Sequence, residues 1–238
     1  MSERLYFRQL LAGRDFAVGD ALATSMRNFT YVVGDRQTGE VVLVDPAYRP
    51  SELLDLVTAD DLRLMGVIAT HYHPDHVGGK LMGEQYVAGV SELLRLVTVP
   101  VHVQSPEAEW MTARAGVADE ALVLHDDGDQ LNVGGVVLTL LRTPGHTPGS
   151  QCVLVEDRLL SGDTLFIDGC GRTDFPGGDA AEMYRSLSER LSHVSDETVL
   201  YPGHLYAPES SMAMGDVRER NFVLAPKREA EWLAMFAS

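Results

Sequence analysis

Three histidines and an aspartate fall within the six residues His71-Tyr72-His73-Pro74-Asp75-His76, a density that packing does not explain. Imidazole and carboxylate are donors suited to zinc and iron. In an extended loop, His71 and His73 stand two apart and point their rings to one side, and Pro74 keeps the loop from becoming a regular helix. A chain with this run is expected to fold around a metal.

Three further candidates follow strand-like runs, as His71 itself does after Gly66-Val67-Ile68-Ala69. Leu140-Leu141-Arg142 leads through Thr143-Pro144-Gly145 to His146, Leu159-Leu160-Ser161-Gly162 to Asp163, and Val199-Leu200-Tyr201-Pro202-Gly203 to His204. Ligands at four strand ends can converge on one rim, the usual place for sites in open α/β sheets. Gly145, Gly162 and Gly203 directly precede three of them and allow tight turns.

The remaining pattern supports an α/β class. Thr30–Val33 and Val41–Asp45 read as a hairpin across a glycine-containing turn, Met65–Ala69 and Val99–Val103 as short buried strands, and 136–141, 151–155, 158–161 and 198–201 as further strands. Helical spacing begins after Pro50, continues irregularly over Leu81–Val97, opens again at Ser105-Pro106-Glu107, and covers Asp179–Val194 and 227–236. The stripe Met183, Leu187, Leu191 is read as core, and Trp232 with Met235 as core or interface. No repeat or low-complexity linker divides the chain, so one domain over 1–238 is the economical expectation. Strands followed by helices in each half suit two mixed sheets packed face to face with helices outside, although a doubly wound sheet stays open.

Charge narrows the partners. Nineteen basic against thirty-five acidic side chains give a formal charge of -16, which opposes nucleic acid or an anionic membrane, and no basic patch offsets it. No apolar run reaches membrane-spanning length, and the start Met1-Ser2-Glu3-Arg4 lacks the basic character of an export signal. With only Cys152 and Cys170, no disulfide framework is expected and a cytoplasmic location is the default.

The motifs T-H-Y-H-P-D-H at 70–76, T-P-G-H-T-P-G-S at 143–150, S-G-D-T-L-F at 161–166 and Y-P-G-H at 201–204 resemble the metallo-β-lactamase superfamily in order and spacing, over roughly residues 25 to 206. The resemblance implies a four-layer αββα sandwich with a metal site along one edge. Gly169-Cys170-Gly171-Arg172 is shared by its glyoxalase II thioesterases and its persulfide dioxygenases, the family of the ethylmalonic encephalopathy protein. Thr173-Asp174-Phe175 resembles the dioxygenases more.

Resemblance to the dioxygenases implies Fe(II) on His71, His146 and Asp163, with three positions left for O2 and the persulfide of a small thiol such as glutathione, a step of sulfide metabolism that yields sulfite. His73, Asp75, His76 and His204 then position water, substrate or ligands. Resemblance to glyoxalase II implies instead two metals, zinc or mixed iron and zinc, on His71, His73 and His146 and on Asp75, His76 and His204, bridged by Asp163, with hydroxide attacking a thioester such as S-lactoylglutathione. All seven residues are present. Only 34 residues follow His204 (238 minus 204), fewer than the helical glutathione-binding domain of the hydrolases, which favours the dioxygenase. A metal or oxygen sensor without turnover is the third class, against which the complete ligand set argues.

Arg172 either meets a substrate carboxylate or pins its loop to Asp174. Tyr206 matches a tyrosine near the metal in the dioxygenases that could donate to an iron ligand, and it is taken with Asp75 as a catalytic candidate. His102, His125 and His193 lie outside the motifs and read as packing or surface residues. Leu205 stands where both families commonly carry an acid, the segment 78–97 is longer than its dioxygenase counterpart, and the stretch from Asn221 departs from the family's ending. The apolar helix Leu53–Val57 could contribute to a homodimer.

Overall fold

The computed structural model describes residues 4–81, 85–225 and 228–236. Strands β1 (Leu5–Leu11), β2 (Phe29–Asp35), β3 (Glu40–Val44) and β4 (Arg63–Ile68) build most of the first sheet. A small hairpin of β5 (Gly79–Lys80) and β6 (Tyr86–Val87) follows, and β7 (Val101–Gln104) and β8 (Leu122–His125) complete that sheet in the order β1-β2-β3-β4-β7-β8. The second sheet holds β9 (Asp129–Val133), β10 (Val136–Arg142), β11 (Gln151–Val155), β12 (Arg158–Gly162), β13 (Val199–Pro202) and β14 (Met212–Ala213), in the reverse order β14 to β9.

Period-two burial makes the layers. Along β3, Val42 and Val44 join Ile68, Leu138, Leu140 and Val153 between the sheets, while Val41 and Leu43 face the opposite way. That outer face is covered by α1 (Ala21–Met26), α2 (Pro50–Ala59), α3 (Pro74–Val77), α4 (Val90–Leu96) and α5 (Ala108–Trp110), with Leu53, Leu93 and Met111 fully buried. Beyond the second sheet, α6 (Ala180–Arg185), α7 (Met214–Arg220) and α8 (Glu229–Leu233) bury Met183, Leu187, Leu191, Val217 and Trp232. Each such side chain contributes roughly 1.5–3 kcal/mol, so the sandwich is held by three apolar layers. The expected αββα architecture is the observed one. No helix among the described residues is long and apolar enough to cross a membrane.

One expectation needs correction. The predicted helix over Leu81–Val97 is helical only from Val90, and Met82–Glu84 lie outside the described residues. The chain doubles back before that point: a Cβ on Gly89 would sit 2.2 Å from the Val77 carbonyl, and the Glu92 carboxylate accepts the Gly89 N–H at 2.8 Å, starting the helix there. Of the pair read as core or interface, Trp232 is buried but Met235 is exposed, because the last helix ends at Leu233. Lys227, at the start of that predicted helix, is outside the described residues.

Candidate metal centre

β10 and β12 each run antiparallel to β11, and β12 runs parallel to β13, so all three end on one rim, facing the end of β4 in the other sheet. Gln151 joins the two rims: its N–H donates to Thr70 O at 2.9 Å and its amide to Ala69 O at 2.8 Å. The turns are tight enough to require glycine. Gly162 has φ +49°, and a Cβ on Gly203 would lie 2.5 Å from Asp163 Oδ1.

All seven ligand candidates meet at this edge. His71, His73 and His146 form one triad of donor atoms within 4.8 Å of one another, and Asp75, His76 and His204 form another. Asp163 lies between them, with Oδ2 3.6 Å from His146 Nε2 and 3.4 Å from His204 Nε2, and Oδ1 3.3 Å from His76 Nε2.

Hydrogen bonds on the far side of each ring set its tautomer. His76 Nδ1–H donates to Asp45 at 2.9 Å, His146 Nδ1–H to the Arg172 carbonyl at 2.6 Å, and His204 Nδ1–H to the Met26 carbonyl at 2.8 Å. The Thr70 hydroxyl donates to Asp45 at 2.6 Å, which leaves its oxygen to accept from His71 Nδ1–H at 3.0 Å. The inward Nε2 atoms of His71, His76, His146 and His204 are therefore aimed at the site. His71 Nε2 is buried without a hydrogen-bond partner, and His73 Nδ1 lies 2.8 Å from His146 Nε2. Converging lone pairs with an orphaned nitrogen are a donor set that fits a transition metal.

The two triads differ in charge. Burial holds His71, His73 and His146 below the usual histidine range, His73 at about 3, so these imidazoles are neutral near pH 7. Burial opposes charge on His76 and His204 too, but Asp163 and Asp75 outweigh it, lifting His76 well above its ordinary value and His204 to about 9.

Sequence reasoning missed three residues that shape the centre. Asp45 accepts from His76, from the Thr70 N–H at 2.7 Å and from its hydroxyl, and it stands at φ +54° after β3. Asn28 donates its amide to Asp75 Oδ2 at 3.0 Å and accepts from the Tyr48 hydroxyl at 2.7 Å. Glu107, fully buried, lies beneath both histidine loops, and burial pushes its carboxyl up to about 7.

A cavity of about 730 Å³ opens over the centre, lined by His73, Asp75, His146, Asp163 and His204 together with Lys80, Arg114, Arg172, Phe166, Phe175 and Tyr206. Arg172 takes the loop-pinning arrangement: it pairs bidentately with Asp174 at 2.8 and 2.6 Å and lies over the Phe175 ring. Tyr206 reaches the centre through its ring, stacked on His204 with centroids 4.5 Å apart. Leu205 turns away into the core between the sheets, and Asn221 braces the cavity wall by donating to Phe166 O and Gly169 O. Burial pushes the Cys170 thiol up to about 12. Of the other histidines, His102 is buried with Nδ1 2.9 Å from His125 Nε2, and His193 is exposed.

Comparison with known proteins agrees with this geometry. The metallo-beta-lactamase superfamily profile matches residues 24–82 and 86–204. Human mitochondrial persulfide dioxygenase ETHE1 is 34% identical over 181 residues, 75% of this chain and 64% of that protein, so the chain spans just under two thirds of that relative. A hydroxyacylglutathione hydrolase from Shewanella halifaxensis is 35% identical over 179 residues, 75% of this chain and 62% of that one. Among solved structures, ETHE1 from Myxococcus xanthus superposes with a TM-score of 0.78 at 30% identity, covering 97% of this chain and 89% of that one.

Proposed function

Because the chain belongs to the metallo-beta-lactamase superfamily, we propose that it is an iron-dependent persulfide dioxygenase that converts glutathione persulfide, O2 and water to sulfite and glutathione. The unequal state of the two triads carries this reading. Among the described residues His71 Nε2 has no hydrogen-bond partner, whereas in the other triad Asp75 accepts from Asn28 and its Oδ2 lies 3.5 Å from His76 Nε2 and 3.4 Å from His204 Nε2. That asymmetry favours one metal, held by His71, His146 and Asp163. Similarity to ETHE1 from Myxococcus xanthus over most of both chains supports the dioxygenase reading.

When bound, the iron supplies a redox-active centre with open coordination positions for O2 and sulfur. The chain's own residues bind and orient the substrate. Phe166, Phe175 and Tyr206 give the cavity apolar walls that keep bulk water from the persulfide. Lys80 and Arg114 have no carboxylate partner among the described residues and can attract the carboxylates of glutathione. Arg172 can add a contact through the N–H groups that Asp174 leaves free. Asp75, held ionised by His76 and His204 despite its burial, orients water beside the reacting sulfur, and the Tyr206 ring steadies His204. His73 completes the imidazole wall next to His146.

One observation favours a second reading. The donors sort into His71, His73, His146 and Asp75, His76, His204 with Asp163 between them, the set that a two-metal thioesterase uses. Anaerobic purification with metal counting, O2 uptake on glutathione persulfide and hydrolysis of S-lactoylglutathione separate the two. One iron per chain with O2 uptake is expected; two metals with thioester cleavage and no O2 uptake would sink the dioxygenase.

A further inference from the structure

We infer that Glu107 is a positioning residue for the metal centre, a buried clasp that locks the His71–His73 loop to the His146 loop. The inference rests on the metal-centre reading but not on which reaction follows. Glu107 ends a turn that Ser105 and Pro106 open after β7, which carries its carboxylate between the two ligand-bearing loops. Oε1 accepts the Tyr72 N–H at 2.7 Å, and Tyr72 is the residue between His71 and His73. Oε2 accepts the Gly149 N–H at 2.7 Å. The Thr147 hydroxyl, next to His146, donates to the same carboxylate, 2.8 Å from Oε1 and 3.0 Å from Oε2.

No lysine or arginine neutralises this buried carboxylate among the described residues; backbone and hydroxyl donors stabilise it. Such an arrangement is costly unless each lone pair is used. Here the backbone donors of the two loops hold different oxygens, and the Thr147 hydroxyl lies within reach of both. A Cβ on Gly149 would lie 2.5 Å from the Glu107 backbone nitrogen, so the two segments are pressed together at the clasp. Tyr72 stands between His71 and His73, Thr147 directly follows His146 and Gly149 lies two residues further along the same loop, so loss of an oxygen would let the two imidazole groups drift apart. A side chain that orients ligands from behind in this way typically changes metal affinity about 10–100-fold when altered.

The test is metal binding, with Co(II) and Zn(II) as probes on full-length protein stripped of metal. In Glu107→Gln the new amide must face an N–H donor with its own N–H, so affinity by chelator competition is expected to fall about 10–100-fold, with a changed visible Co(II) spectrum. Thr147→Val keeps both backbone donors and should lose a few-fold. Glu52→Gln, whose carboxylate accepts the Ala17 N–H away from the centre, serves as control and should bind as wild type. A Glu107→Gln protein that melts earlier yet binds Co(II) within about twofold of wild type, with the same spectrum, overturns the inference. If Glu107→Gln does not fold, wild-type affinity and spectrum in Thr147→Val overturn it equally. Loss of affinity in Glu107→Gln together with a metal-loaded wild type that does not oxidise glutathione persulfide leaves the clasp standing and rejects only the proposed reaction.

Discussion

Asn28 holds its amide nitrogen 3.0 Å from Asp75 Oδ2, and 3.3 and 3.4 Å from His76 Nε2 and His204 Nε2. One side chain from the start of β2 therefore faces all three donors of the second triad. Its own oxygen is fixed by the Tyr48 hydroxyl, so the amide cannot easily turn over. Asn28→Ala should raise bound metal from about one to about two per chain, measured by elemental analysis after equilibration with excess metal. It should also lower stability by about 1–3 kcal/mol through the stranded Tyr48 hydroxyl. An unchanged metal count would show that the amide does not govern the second triad.

The first triad makes a different prediction. His71→Ala removes a nitrogen that no hydrogen bond satisfies among the described residues, and should abolish O2 uptake, with a loss of at least about 10³-fold. His204→Ala should cost a one-iron oxygenase far less, about 10-fold, since its ring acts through Asp75 and Asp163. Equal loss of O2 uptake in both variants would overturn the one-iron assignment.

At the mouth of the cavity, Lys80 and Arg114 test the anionic carrier. Their joint replacement by alanine should raise KM for glutathione persulfide about 5–10-fold with little change in kcat, each exposed contact being worth about 0.5–1 kcal/mol. The effect should shrink with added salt and vanish for a persulfide whose carboxylates are esterified. Equal KM changes for the charged and esterified substrates would count against the carrier.

His102, away from the metal centre, provides a pH signature. Burial, with neighbouring His125, holds its imidazole down to about 4. The unfolded chain, titrating near 6.5, therefore binds the proton that the folded protein refuses, and this contribution to stability is lost as pH falls from about 6.5 towards 4. Wild type should lose on the order of 2–3 kcal/mol more than His102→Gln between pH 7 and pH 4. Paired urea titrations at the two pH values check this, and identical slopes would refute it.

Much of the fold was legible because its causes are local. The unbroken apolar run Val41-Val42-Leu43-Val44 in β3 marks a strand covered on both faces, and the Met183, Leu187, Leu191 stripe marks a helix over a sheet. The segment 78–97 was less legible, because the contact of Gly89 with Val77 that turns the chain back joins residues from separate elements.

The candidate metal ligands are residues whose chemistry declares itself at short range: three imidazoles in six residues, and donors placed immediately after strands. The amino-acid sequence pointed to such a centre and to the atoms that could form it. The tertiary structure decided how those atoms are aimed. Asp45 reaches Thr70 across 25 positions, Glu107 reaches Tyr72 across 35 and Thr147 across 40, and Asn28 reaches Asp75 across 47. Each is an ordinary acid or amide on its own stretch of chain. Their partners are set by where two sheets bring strand ends together, because a hydrogen bond between distant segments depends on the packing that joins them and leaves no periodic trace in either one.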